Sequence, residues 1–223
     1  AGRPLPRALA VPATVTMTVS TRLHRPARRL ALLASSLLLL GALSGCEKTP
    51  APSFKSLDIT GAEYARQLAL TDASGQPFQL SSLKGKVAVV FFGYTQCPDV
   101  CPTTLTNLAE TQRLLGPDGD KLVGVFVTVD PKRDTAALLK AYVGAFNPNW
   151  VGLRGTPEET AAAAKEFKIF YREVPGKTES SYTVDHTAAS FVFDPQGQVR
   201  LYVRHATPPA DLAADIKVLL SAR

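Results

Sequence analysis

An apolar strand that runs without a break into two cysteines and then into a helix constrains this chain more tightly than any other stretch. The run is Phe91-Phe92-Gly93-Tyr94-Thr95-Gln96-Cys97-Pro98-Asp99-Val100-Cys101-Pro102. Lys86 to Phe92 is β-branched and aromatic, as a buried strand is, and Leu105, Leu108 and Leu115 recur beyond it at helical spacing. Pro98 and Pro102 disfavour the α region at Cys97 and Cys101, and Pro102 suits a first helical position. The pair is therefore expected on a loop entering the helix, not within it. A helix N-terminus offers unpaired amides and the positive end of the macrodipole, both of which favour a thiolate. Redox or metal chemistry is the expectation.

The third cysteine has a different setting. Residues 1–45 hold six arginines and no acid, which leaves 19 basic and 19 acidic side chains in the remainder. The net charge of +6 thus belongs to the leader, and the body gives no support to a nucleic-acid groove. Arginines, the apolar run Leu30 to Leu43 and then Leu43-Ser44-Gly45-Cys46 read as a secretory signal. The run is short for a membrane span, which needs about 20 apolar residues. Leu-Ser-Gly-Cys resembles the lipobox of bacterial lipoproteins, whose cysteine is lipidated and becomes the mature N-terminus. Met17 is the only methionine and gives a leader of 29 residues, so residues 1–45 are read as leader with the true start at Met17. An ordinary thiol after an uncleaved anchor is the alternative for Cys46. With Cys46 assigned to lipid, two thiols remain in an exported domain. A structural disulfide between them would close a loop of a few residues and stabilise little. The 178 residues from Cys46 onward can build a core without staples.

Residues 46–60 read as a flexible tether and 61–223 as one domain, with the fold starting near Tyr64. Gln67 to Leu70 and Pro77 to Leu80 flank Asp72-Ala73-Ser74-Gly75 as a hairpin. A second central strand spans Leu122 to Val129, and Asp134 is expected to cap a helix from Thr135 to about Phe146. Trp150 to Leu153 reads as a short strand, and Thr156-Pro157-Glu158-Glu159 opens a helix. Lys168 to Asp185 has no clear period and reads as a surface loop or a loose hairpin. Ala189 to Asp194 and Val199 to Arg204 are antiparallel strands, and Thr207-Pro208 opens the last helix. This order argues for an α/β thioredoxin-like fold, a mixed central sheet flanked by helices, with an N-terminal β-hairpin.

Three stretches, Gly93 to Pro102, Val129-Asp130-Pro131-Lys132-Arg133-Asp134-Thr135 and Val184-Asp185-His186-Thr187, together resemble the Sco/SenC family of copper-binding proteins over about Tyr64 to Ser221. The resemblance implies a thioredoxin-like domain holding one copper ion, Cu(I) or Cu(II), through Cys97, Cys101 and His186. It implies work on the dinuclear copper site of cytochrome c oxidase subunit II, or another exported acceptor, as copper donor, thiol reductant or both. It places the protein in the cell envelope, lipid-anchored at the outer face of the inner membrane. The chemistry is coherent: soft thiolates suit Cu(I), and imidazole suits either oxidation state.

Several side chains carry two readings. A loop histidine such as His186 is ordinarily a surface or hydrogen-bonded residue, and the Asp-His-Thr context with the thiols argues for a ligand. Asp185 is expected either to orient the imidazole or to be a solvated acid. Asp99 either tunes the thiols or is an exposed turn acid. Asp130 and Arg133 are candidates for partner recognition; Asp134 is explained by capping, and Tyr94 and Phe92 by packing. His205 is the competing ligand, and His24 lies in the leader. A membrane-tethered thiol-disulfide oxidoreductase would use the same two cysteines, catalytically, but a thioredoxin-type reductase would show Trp-Cys-x-x-Cys and a cis-proline. A peroxiredoxin would show threonine where Tyr94 stands.

Overall fold

Two apolar runs form the centre of a sheet. β4 (Val87–Gly93) and β5 (Leu122–Thr128) are buried at every position, as parallel strands covered on both faces must be. They pair in register from Val87 opposite Leu122 to Gly93 opposite Thr128. Their C-terminal ends therefore lie side by side, and the Val129 amide donates to the Gly93 carbonyl at 2.8 Å. The segments that leave these two ends, one with the cysteines and one with Asp130 to Asp134, are neighbours for that reason.

The computed structural model describes residues 53–178 and 181–221. Cys46, Met17 and the leader lie outside the described residues. Around the central pair are β1 (Leu57–Asp58), β2 (Ala69–Asp72), β3 (Pro77–Gln79), β6 (Val151–Arg154), β9 (Ala189–Phe193) and β10 (Val199–Arg204). The order is β1-β10-β9-β4-β5-β6-β2-β3. β6 adds to β5 in parallel, while β9, β10, β1, β2 and β3 each pair antiparallel. Four helices flank the sheet: α1 (Val100–Leu114), α2 (Ala136–Phe146), α3 (Pro157–Glu166) and α4 (Pro209–Ser221). α1 packs on α4, α2 on β6 and α3 on β2. This is the thioredoxin-like arrangement expected from the sequence, with its mixed sheet and N-terminal β2–β3 hairpin. Phe91, Phe92, Phe126, Phe167, Phe191 and Phe193 fill the core, each such ring contributing about 1.5–3 kcal/mol of burial.

The remaining strands, β7 (Tyr171–Val174) and β8 (Thr183–His186), form a separate antiparallel pair. The unperiodic stretch is thus a hairpin, and His186 ends a strand instead of sitting in a loop.

Three sequence expectations change. Residues 55–58, placed in the flexible tether, join the domain: β1 pairs with β10, and the Lys55 and Ser56 amides donate to the buried Asp215 carboxylate at 2.7 and 2.8 Å. Cys101 lies inside the first turn of α1, with Pro102 beside it. First-turn amides have no intrahelical acceptor, so a proline there removes no hydrogen bond. The cap of α2 is Thr135, whose hydroxyl accepts from the Leu138 amide at 3.2 Å; Asp134 is engaged elsewhere.

Candidate metal centre

α1 begins without a side-chain cap from its N-cap residue Asp99. The Cys97 sulfur takes that place, accepting the Cys101 amide at 3.4 Å. The Asp99 amide also reaches this sulfur. The thiol of Cys97 is pulled down to about 4, first by the Cys101 thiol that donates to it, against the opposing effect of burial, with further help from these amides. Cys101, fully buried, moves the other way: it gives its proton to that bond, and burial opposes its charge. The pair therefore holds one thiolate, at Cys97, and one thiol, at Cys101. Both cysteines are free.

The place of Cys101 depends on Gly93, at the end of β4. A β-carbon on Gly93 would lie 2.7 Å from the Cys101 sulfur and 3.0 Å from the Phe126 and Phe91 rings. The bare α-carbon is the floor of the site.

His186 is delivered by β8. Its Nε2 lies 3.4 Å from the Cys101 sulfur, and its Nδ1 lies 3.1 Å from the Thr187 carbonyl. A carbonyl cannot donate, so Nδ1 carries the proton and Nε2 presents its lone pair to the sulfurs. Edge contacts from the Phe91 and Tyr94 rings, 5.8 and 6.0 Å between centroids, hold the imidazole plane. The donor atoms of Cys97, Cys101 and His186 all lie within 4.8 Å of one another. Two metal–ligand bonds of about 2.0–2.3 Å reach across at most about 4.6 Å, so a small contraction closes the set on one ion. Two sulfurs and one imidazole suit a soft or borderline transition metal, copper above all.

The structure gives the other named residues different work. Asp185 points away from the imidazole, exposed and paired with Arg172 at 3.2 Å, because neighbours along a strand face opposite sides; the Thr187 carbonyl orients the ring in its stead. The Asp99 carboxylate is exposed and receives the Thr103 hydroxyl at 3.3 Å. Asp130 and Arg133, expected to meet a partner, form a buried ion pair with side-chain exposures of 2% and 14%. Tyr182 completes their set: its hydroxyl donates to Asp130 at 2.8 Å, its carbonyl accepts from Arg133 at 2.8 Å, and its ring lies 3.5 Å from the guanidinium carbon. These contacts hold the β7–β8 hairpin, and with it His186, to the segment after β5. His205 is outside the cluster, its Nδ1 3.5 Å from the Thr104 hydroxyl.

Asp134 is the residue that sequence reasoning set aside. Fully buried, its carboxylate accepts the Thr95 amide at 3.0 Å, the Thr95 hydroxyl at 2.6 Å and the Thr128 hydroxyl at 2.6 Å. It thereby ties the cysteine loop to the end of β5. The available signal was its place in the second of the three recognised motifs.

Residues 58–221 match the sequence model of the SCO1/SenC family. A SCO2-like protein of Rickettsia felis is 36% identical over 137 residues, 61% of this chain and 65% of its own length. The chain thus spans a little under two thirds of that relative. Among solved structures, Bradyrhizobium japonicum ScoI with copper bound is 40% identical, with a TM-score of 0.62 over 69% of this chain and 97% of that one. Yeast Sco1 with copper bound is 29% identical, with a TM-score of 0.63 over 77% and 91% of the two chains.

Proposed function

The chain belongs to the SCO1/SenC family, and from that premise we propose that it is a copper chaperone of the cell envelope. It takes one copper ion as cargo through Cys97, Cys101 and His186 and hands it to the dinuclear copper site of cytochrome c oxidase subunit II, or to another exported acceptor. The observation that carries this reading is the convergence of two sulfurs and an imidazole Nε2 within 4.8 Å, with Nδ1 already committed to a carbonyl. Three ligands leave a bound ion open to a fourth, so an incoming thiolate or imidazole can begin exchange before the first bonds break. Cys97, the more accessible sulfur, is the one to be released first. Lipidation at Cys46 would tether the domain to the outer face of the inner membrane. Among the described residues no helix is long and apolar enough to cross a membrane.

A second reading rests on the Cys97 thiol at about 4 beside a buried partner. A standing thiolate next to a resolving thiol is the equipment of a thiol-disulfide oxidoreductase, which could reduce the cysteines of the same recipient.

Metal analysis of the chain carrying Cys46→Ser, purified reduced and loaded with Cu(I) or Cu(II), separates the two. The copper reading expects one ion per chain, weakened by Cys97→Ala and by His186→Ala, with thiol oxidation still possible in the histidine variant. A protein that holds no copper but cycles its thiols with a disulfide substrate would replace the chaperone reading with the second.

A further inference from the structure

We propose that Thr187 is a positioning residue of the metal centre. Its hydroxyl stands in for its own carbonyl in the pairing at the end of the β7–β8 hairpin, and the carbonyl so released fixes the His186 imidazole with Nε2 toward the sulfurs. The inference deepens the copper reading above and rests on it for the part that concerns metal.

The hairpin pairs from Val174 opposite Thr183 to Tyr171 opposite His186. One step further Phe170 faces Thr187, and the Thr187 amide donates to the Phe170 carbonyl at 2.9 Å. In an antiparallel pair joined in this way the two residues exchange both bonds, so the Phe170 amide would be expected to return to the Thr187 carbonyl. It goes instead to the Thr187 hydroxyl oxygen, at 3.0 Å. The hydroxyl hydrogen has an acceptor of its own in the Phe170 carbonyl, at 3.5 Å. A local side-chain bond has taken the place of a main-chain one, as threonine hydroxyls can, and no group of the pair is left without a partner.

The carbonyl set free is the one that meets His186 Nδ1 at 3.1 Å. It can only accept, so the ring proton sits on Nδ1 and the lone pair on Nε2, 3.4 Å from the Cys101 sulfur. Which imidazole nitrogen takes a metal is set by the bond that the other one makes. Here that bond exists because the residue after the histidine carries a β-hydroxyl. The Phe91 and Tyr94 rings meet the imidazole edge-on and hold its plane without choosing between its nitrogens. Serine at this position could make the same exchange. Valine, of nearly the same shape, could not: the Phe170 amide would claim the carbonyl of residue 187, and Nδ1 would lose its acceptor.

Long-range proton–nitrogen correlation NMR on the metal-free chain carrying Cys46→Ser reads the tautomer, at about pH 8, above the ordinary imidazole range. His186→Ala identifies the ring. The proton is expected on Nδ1 of His186 in the unaltered site and in Thr187→Ser, and shared between the two nitrogens in Thr187→Val. In a Cu(I) titration Thr187→Val should bind about tenfold or more weakly, the scale of losing a bond that orients a metal-binding histidine, and Thr187→Ser within about threefold of the unaltered site. A His186 proton found on Nε2 in the unaltered site would overturn the proposal with no variant needed. So would a valine variant that keeps both the Nδ1 proton and full affinity, or a serine variant as weak as the valine one. Should the unaltered site take no copper, the copper reading falls, and the tautomers in the metal-free proteins still decide the role of Thr187.

Discussion

At Cys97 the charge of the thiol pair is decided by which sulfur receives donors. Cys97 collects the Cys101 thiol and two amides, whereas Cys101 lies behind it without exposure. In the reduced, metal-free protein iodoacetamide should therefore label Cys97 first, at a rate that is flat from about pH 6 to pH 8. A free thiol near pKa 8.5 would instead gain about tenfold per pH unit below that value. Mapping the labelled peptide at each pH checks both the site and the profile. Gly93→Ala tests the floor of the site. The new methyl meets the Cys101 sulfur and two rings, so urea unfolding should show a loss of about 1–3 kcal/mol from overpacking, and a copper titration should show weaker retention. The cysteines and His186 were legible because each sits in a short motif with its own chemistry. Asp134 was not, because Asp and Thr are both good caps and stand next to each other. The choice between them was made by Thr95, 39 residues earlier, and by a hydroxyl at the end of β5.

Among the elements, the β7–β8 hairpin has no place in the main sheet and depends on a few side-chain ties. Its core contribution is chiefly Val184, while Arg133, Asp130 and Tyr182 fasten it from the side. Burial and the Asp130 bond push the Tyr182 hydroxyl up to about 12, so it remains a donor across the physiological range. Arg133→Met leaves Asp130 buried without its cation, a loss of about 3–5 kcal/mol. Amide exchange should rise across residues 171–174 and 183–186, and copper retention should fall although no ligand has changed. Asp185→Asn, on the solvent side of the same strand, should alter stability by no more than about 0.5 kcal/mol. This hairpin was the least legible element. Its strands are half exposed and show no alternation strong enough to separate strand from loop, whereas β4 and β5 were plain because burial on both faces leaves an unbroken apolar run.

For the whole molecule, the N-terminal boundary is set by the far end of the chain. Asp215 on α4 holds the amides of Lys55 and Ser56 with its two oxygens, one each, and β10 recruits β1. Asp215→Ala would leave both amides without an acceptor, and thermal unfolding should reveal a loss of about 1–3 kcal/mol, with earlier proteolysis near residues 53–58. A strand of two residues has no period to read, and a boundary fixed by an acid some 160 positions away has no local signal. The same long reach governs the candidate centre, since Cys101 and His186 are separated by 85 positions. A growing chain displays both thiols long before it possesses their histidine. During synthesis the pair is thus a bare dithiol open to oxidants, and capacity for metal arrives as one of the last events of maturation. A chain broken off before β8 would carry every cysteine of the centre and still be unable to take cargo.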